Sequence, residues 1–141
     1  MSLSPHLKGH HVPQPLTDTT GASVAIKLDS SRPVSSYTAV LDARSPVGRA
    51  EFFDSPAAAS ERIFFHTEVD PAFGGRGLAR LLVREALAGS VRAGVTVVPV
   101  CPLFGNHLKK HGVEFLAGGG RFRRPTRADI ALVAQVTRGD G

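Results

Sequence analysis

The chain has 141 residues, 42% of them apolar and 21% charged, and its 17 Lys and Arg against 12 Asp and Glu leave a net charge of +5. That length fits one domain of about 100–200 residues, and the composition excludes both a disordered chain and a disulfide-stapled one. No run approaches the roughly 20 apolar residues of a membrane span; the lone Cys101 and a start without a signal-like layout point to the cytoplasm, with the positive excess free to meet an anionic partner.

Residues 1–21 carry Pro5, Pro13 and Pro15 and hardly a periodic apolar position, so they read as a flexible N-terminal tail. His6, His10 and His11 fall in it without a Cys or acidic co-ligand, and no metal site is expected. From 23 onward short alternating runs, 23–28, 37–42 and 47–53, predict a meander of antiparallel strands. Residues 62–69 predict a stronger strand, with Phe64, His66 and Glu68 on one face and Phe65, Thr67 and Val69 on the other.

A glycine-rich turn follows, Phe73-Gly74-Gly75-Arg76-Gly77, and leads into a helix that Gly94 ends. At 100° per residue Ala79, Leu82, Val83, Ala86, Ser90 and Ala93 form its buried stripe, opposite Arg80, Arg84, Glu85 and Arg92. Residues 95–100 are a β-branched run suited to a strand covered on both faces, placed beside 62–69 by a crossover. After Cys101-Pro102, residues 103–111 predict one or two helical turns before Gly112. Residues 118–141 read as a basic C-terminal extension, in which Thr126 and Asp129 mark the start of a short helix over 128–136. The fold class is α+β with a mixed sheet.

The turn before the helix is a physical anion site. Glycines let a ligand approach the backbone, and the first helical turn offers unpaired N–H groups. Arg76 adds charge, and no acid occurs from 71 to 83 to repel a diphosphate. The spacing matches neither a dinucleotide fingerprint nor a Walker loop, since the next strand ends in Pro99-Val100-Cys101 and no Gly-Lys-Ser/Thr follows.

Gly74-Gly75-Arg76-Gly77-Leu78-Ala79 resembles the coenzyme-A cradle of GNAT acetyltransferases, with glycine where that family often carries Arg or Gln. His66-Thr67-Glu68-Val69, this cradle, Val97-Val98-Pro99-Val100-Cys101-Pro102-Leu103 and Lys109-Lys110-His111 together resemble, in order, the compact YjdJ-type branch of that superfamily. That branch usually continues His-Pro-Glu where this chain has His111-Gly112-Val113-Glu114. The likeness spans about 23–115, which divides the chain into a tail (1–21), a GNAT-like domain (22–117) and the extension (118–141).

The resemblance implies an acetyl-CoA-dependent N-acetyltransferase acting on an amine, either a small molecule or a protein lysine. It implies cofactor contacts from Val69, Gly74, Gly75, Arg76, Gly77, Leu78 and Ala79, and catalytic roles for Cys101 and His66; Glu68 is a third catalytic candidate because it shares a strand face with His66. His66 is a candidate base, Glu68 its orienting partner or a base through water, and Cys101 an acyl carrier or a residue lining the site. The tyrosine that many GNAT enzymes use to protonate the leaving thiolate has no counterpart, because the only tyrosine is Tyr37; Cys101, His107 or water is left for that step. Lys109, Lys110, Arg121, Arg123, Arg124 and Arg127 are candidates for the cofactor's ribose phosphate or an acidic partner, and a homodimer is a further possibility.

Two other readings stay open: a coenzyme-A-binding module without turnover, and a small basic nucleic-acid-binding protein. The second is disfavoured because aromatics are only 6% of the chain and sit in apolar runs rather than among basic residues.

Overall fold

The structure, a computed structural model, describes residues 16–42, 45–56 and 60–139. Among these residues seven strands form one sheet in chain order: β1 (Leu16–Thr17), β2 (Ser23–Asp29), β3 (Ser35–Leu41), β4 (Pro46–Asp54), β5 (Glu61–Val69), β6 (Thr96–Pro99) and β7 (Arg121–Phe122). The first five pair antiparallel, and β6 and β7 add in parallel. Helices α1 (Leu78–Ala93) and α2 (Pro102–Ala117) make the two parallel crossovers, and α3 (Arg127–Gly139) is the last element of the described residues. No helix of the described residues is long and apolar enough to cross a membrane.

Alternation sets the two faces. Tyr37, Ala39 and Leu41 of β3, Ala50 and Phe52 of β4, Phe64 and Val97 bury together with Leu82, Val83 and Ala86 of α1 and Phe104 and Leu108 of α2. The opposite side holds a smaller cluster, Phe53, Ile63 and Val98, against which Leu132, Val133 and Val136 of α3 pack. Val97 and Val98, both fully buried, thus serve one face each, as a doubly covered strand requires. In α1 the buried stripe is Leu78, Leu82, Val83, Ala86, Leu87, Gly89 and Ser90; Ala93, expected in it, is exposed at the last turn.

Three expectations change. Residues 16–21, assigned to a tail, form β1 and a turn, because Leu16 packs on the main core and the Asp18 carboxylate is fully enclosed. The expected behaviour of 1–15, with His6, His10 and His11, lies outside the described residues. Helix α2 runs to Ala117 rather than stopping before Gly112; the chain kinks at His111 (φ −120°, ψ 17°) and resumes, since Gly112 backs onto the Phe122 ring, where a Cβ would lie 2.9 Å from Cζ.

The C-terminal segment is built into the sheet. Arg123 places Nε 2.8 Å from Glu61 Oε2 and Nη2 2.7 Å from Oε1, then reaches Asp129 with Nη1 at 2.8 Å and Nη2 at 2.9 Å. Asp129 also accepts from the Thr126 N–H (2.7 Å) and hydroxyl (3.0 Å), the reciprocal cap anticipated from those two residues. One guanidinium therefore ties α3 to β5.

Candidate active site

Backbone geometry opens the site. The β4–β5 register passes from Phe52↔Phe64 to Glu51↔His66, so Phe65 is an extra residue, a bulge that bends β5. Pairing with β6 stops one residue earlier, at Phe64↔Pro99. Pro99 lacks an N–H and Pro102 starts α2, so the chain leaves the sheet there, its last link being Cys101 N–H to Phe64 C=O at 2.9 Å. Asp70 N–H bonds to Val47 C=O, which turns the backbones of Glu68 and His66 toward β4 as well and those of Thr67 and Val69 away from it. Beyond Phe64, then, one edge of β5 carries peptide groups with no partner strand among the described residues.

That edge runs toward the glycine turn. Asp70 caps a 3-10 turn (Pro71–Phe73) by accepting from Ala72 N–H at 2.9 Å. Gly75 (φ +78°) and Gly77 (φ +77°) then take left-handed conformations that side chains resist, and Gly77 is the N-cap of α1. Gly77 has no side chain to cap the helix, and the first turn holds no acid. The N–H groups of Gly75, Arg76, Gly77, Leu78 and Ala79 have no protein acceptor among the described residues. A cleft of about 850 Å³ continues from Ala79 between α1 and α2, with Arg80, Arg84, His107, Lys110, Leu103 and Phe115 among its walls. Burial, and then the charges of His111 and Arg84, hold the His107 imidazole below its ordinary value.

Cys101 is the N-cap of α2, 4% exposed within the main core, and its Sγ lies 3.5 Å from Thr67 Oγ1. His66 and Glu68 flank Thr67 on an extended strand and so occupy the opposite face. Their side chains, about half exposed, pair Nε2 with Oε1 at 2.9 Å, and Arg49 Nη2 reaches the other Glu68 oxygen at 3.2 Å. The His66 hydrogen bond, with the Arg49 charge behind it, holds the Glu68 carboxyl below the usual glutamate value. The convergence of His66 with Cys101 expected from sequence position is not what the fold produces: the polar partner of the thiol is Thr67, and the imidazole partner is Glu68.

A family model for GCN5-related N-acetyl-transferases matches residues 36–116, from β3 to the end of α2. The chain belongs to that family. No curated protein matches the sequence. The GCN5-related match covers the edge of β5, the cradle, Cys101 and both cleft-forming helices, and leaves β1, β2, β7 and α3 outside it.

Enzymes of this family generally draw their acetyl group from acetyl-CoA, and the residues present fit such a molecule. Unpartnered first-turn amides with Arg76 suit a diphosphate, the bare edge at Thr67 and Val69 suits an amide-bearing arm, and the basic cleft suits a phosphorylated nucleoside. Two features had no local signal in the sequence. Thr67 looked like an ordinary strand residue until α2 brought Cys101 to it, and the cleft needs Arg80 and Arg84 of one helix beside Lys110 of another. Arg121, Arg123, Arg124 and Arg127 are not among the residues lining the cleft, and Arg123 is engaged by Glu61 and Asp129.

Proposed function

We propose that this protein is an acetyl-CoA-dependent N-acetyltransferase whose acceptor is an amine, a small molecule or a protein lysine. The observation that carries the reading is the set of unpartnered amides at the start of α1, beside a strand, β5, whose edge loses its partner after Phe64 and whose Thr67 meets the buried thiol. Acetyl-CoA, when bound, supplies the acetyl group as an activated thioester. Gly75, Arg76, Gly77, Leu78 and Ala79 grip its diphosphate, the backbone at Val69 aligns its arm, and Arg80, Arg84 and Lys110 receive its nucleoside end. Holding the donor still in this way supplies much of the rate of an acyl transfer.

The remaining chemistry is two proton movements. His66, on the face of β5 opposite Cys101, is the base for the ammonium of an acceptor that approaches from that face; its Nε2–H donates to Glu68, which fixes the tautomer and leaves Nδ1 as the acceptor. Cys101 gives its proton toward the departing sulfur, with Thr67 orienting the thiol, in place of the tyrosine this chain lacks. A free thiol is compatible with a reducing, cytoplasmic setting.

The test is thermal unfolding with and without acetyl-CoA, followed by transfer of labelled acetyl to a panel of amines. A ligand at 100 times its dissociation constant adds about 2.7 kcal/mol, a shift easily measured. Cys101→Ala should keep that shift and lose transfer. Binding with no transfer to any amine would favour a coenzyme-A-binding module, and no shift at all would refute the coenzyme reading.

A further inference from the structure

The Asp18 carboxylate is fully enclosed, yet it lies outside the span matched by the family and takes no part in the chemistry above. It sits in the turn between β1 and β2. Its Oδ1 accepts from the Thr20 N–H (2.8 Å), the Thr20 hydroxyl (2.6 Å) and the Ala22 N–H (3.0 Å), while Oδ2 faces Arg76 Nη1 at 3.4 Å. Thr19 makes two more links to the cradle: its N–H donates to Arg76 C=O (3.0 Å) and its hydroxyl to Gly75 C=O (3.3 Å).

These links matter because a trans peptide is planar, with its C=O and the next N–H pointing in opposite directions. Fixing the Gly75 carbonyl on Thr19 turns the Arg76 N–H away from the hairpin. Fixing the Arg76 carbonyl does the same to the Gly77 N–H. Arg76 is held likewise, by Asp18 at one Nη and by the Phe73 ring, 5.1 Å from its Cζ, which leaves its other N–H groups to a ligand.

We infer that the β1–β2 turn, through Asp18 and Thr19, is a positioning element that presets the Arg76 and Gly77 amides and the Arg76 guanidinium for the diphosphate of the cofactor. This rests on the coenzyme reading of the cradle. Two left-handed glycines would otherwise leave that loop many conformations, and affinity falls in proportion to the fraction of time the competent one is absent.

Coenzyme-A titration calorimetry on the full chain tests it. Asp18→Asn should weaken binding about tenfold, as expected when the competent cradle drops to about a tenth of the population, with kcat at saturating acetyl-CoA retained. In an Arg76→Gln background the same change should add less than about twofold, because Asp18 acts through Arg76. Should Asp18→Asn lower the melting temperature sharply, Thr19→Val, which removes only the bond to Gly75, carries the test with an expected loss of about threefold. Wild-type binding with Asp18→Asn and Thr19→Val unchanged overturns the inference alone, as does full additivity with Arg76→Gln. A wild type that binds no coenzyme A overturns the cradle reading and the inference with it.

Discussion

Asp129 locks the C-terminal helix to the sheet, and acid should release it in a narrow window. The Arg123 fork, aided by Thr126, lowers the Asp129 carboxyl from 3.8 to about 2, the carboxylate side chain being 8% exposed and the guanidinium side chain 35%. At about 1.36 kcal/mol per unit, that difference is worth about 2 kcal/mol of folding free energy. The folded value is the lower one, so the unfolded chain takes up the proton first. The stabilisation is complete above about pH 4 and is lost as pH falls from there toward 2. Asp129→Asn removes the charge while keeping an acceptor for Thr126, and should cost about 2 kcal/mol at pH 7. Urea unfolding of both proteins across pH 7 to 2.5 checks this, with the gap flat down to pH 5 and closing below pH 4. A gap that ignores pH, or one under about 0.5 kcal/mol at neutrality, would show that Arg123 and Asp129 behave as a solvent-screened surface pair.

Other outcomes follow from the same geometry. Gly75→Ala should cost only the left-handed backbone penalty, about 1–2 kcal/mol in urea, because a Cβ there meets no protein atom within 4 Å, yet it should abolish the acetyl-CoA melting shift by filling the cradle. Gly89→Ala drives a Cβ into the Tyr37 hydroxyl and should lose about 1–3 kcal/mol by overpacking, with coenzyme affinity preserved in the fraction that folds. An anion in the cleft should raise the His107 imidazole back toward its ordinary value. Calorimetry at pH 6.5 in buffers of different ionisation enthalpy should therefore show proton uptake on acetyl-CoA binding, absent in His107→Ala, and affinity that rises as pH falls from 7 to 6. His66→Gln should lower transfer of labelled acetyl to the amine panel while leaving that binding intact.

Much of the fold was legible because its signals are local. Period-two runs marked β2 to β5, the 3.6 period and Gly94 marked α1, and Thr126 with Asp129 marked α3. All of them depend on residues a few positions apart. The glycine turn before α1 was legible for the same reason, since Gly75, Arg76 and Gly77 are contiguous. The kink at His111 was not, because what Gly112 must accommodate is the Phe122 ring from another element.

The sequence by itself determined the strand and helix periods, the glycine turn at the head of α1 and the prolines that end β6, because each is a property of adjacent residues and their backbone preferences. Only the tertiary structure decided which side chains meet. Alternation along β5, shifted by the Phe65 bulge, put Thr67 rather than His66 beside Cys101. Sheet order brought Glu61 to Arg123, and a two-residue strand carried Asp18 under Arg76. Those pairings span from 34 to 62 positions of chain, and no local pattern encodes a partner whose position depends on how every intervening element packs.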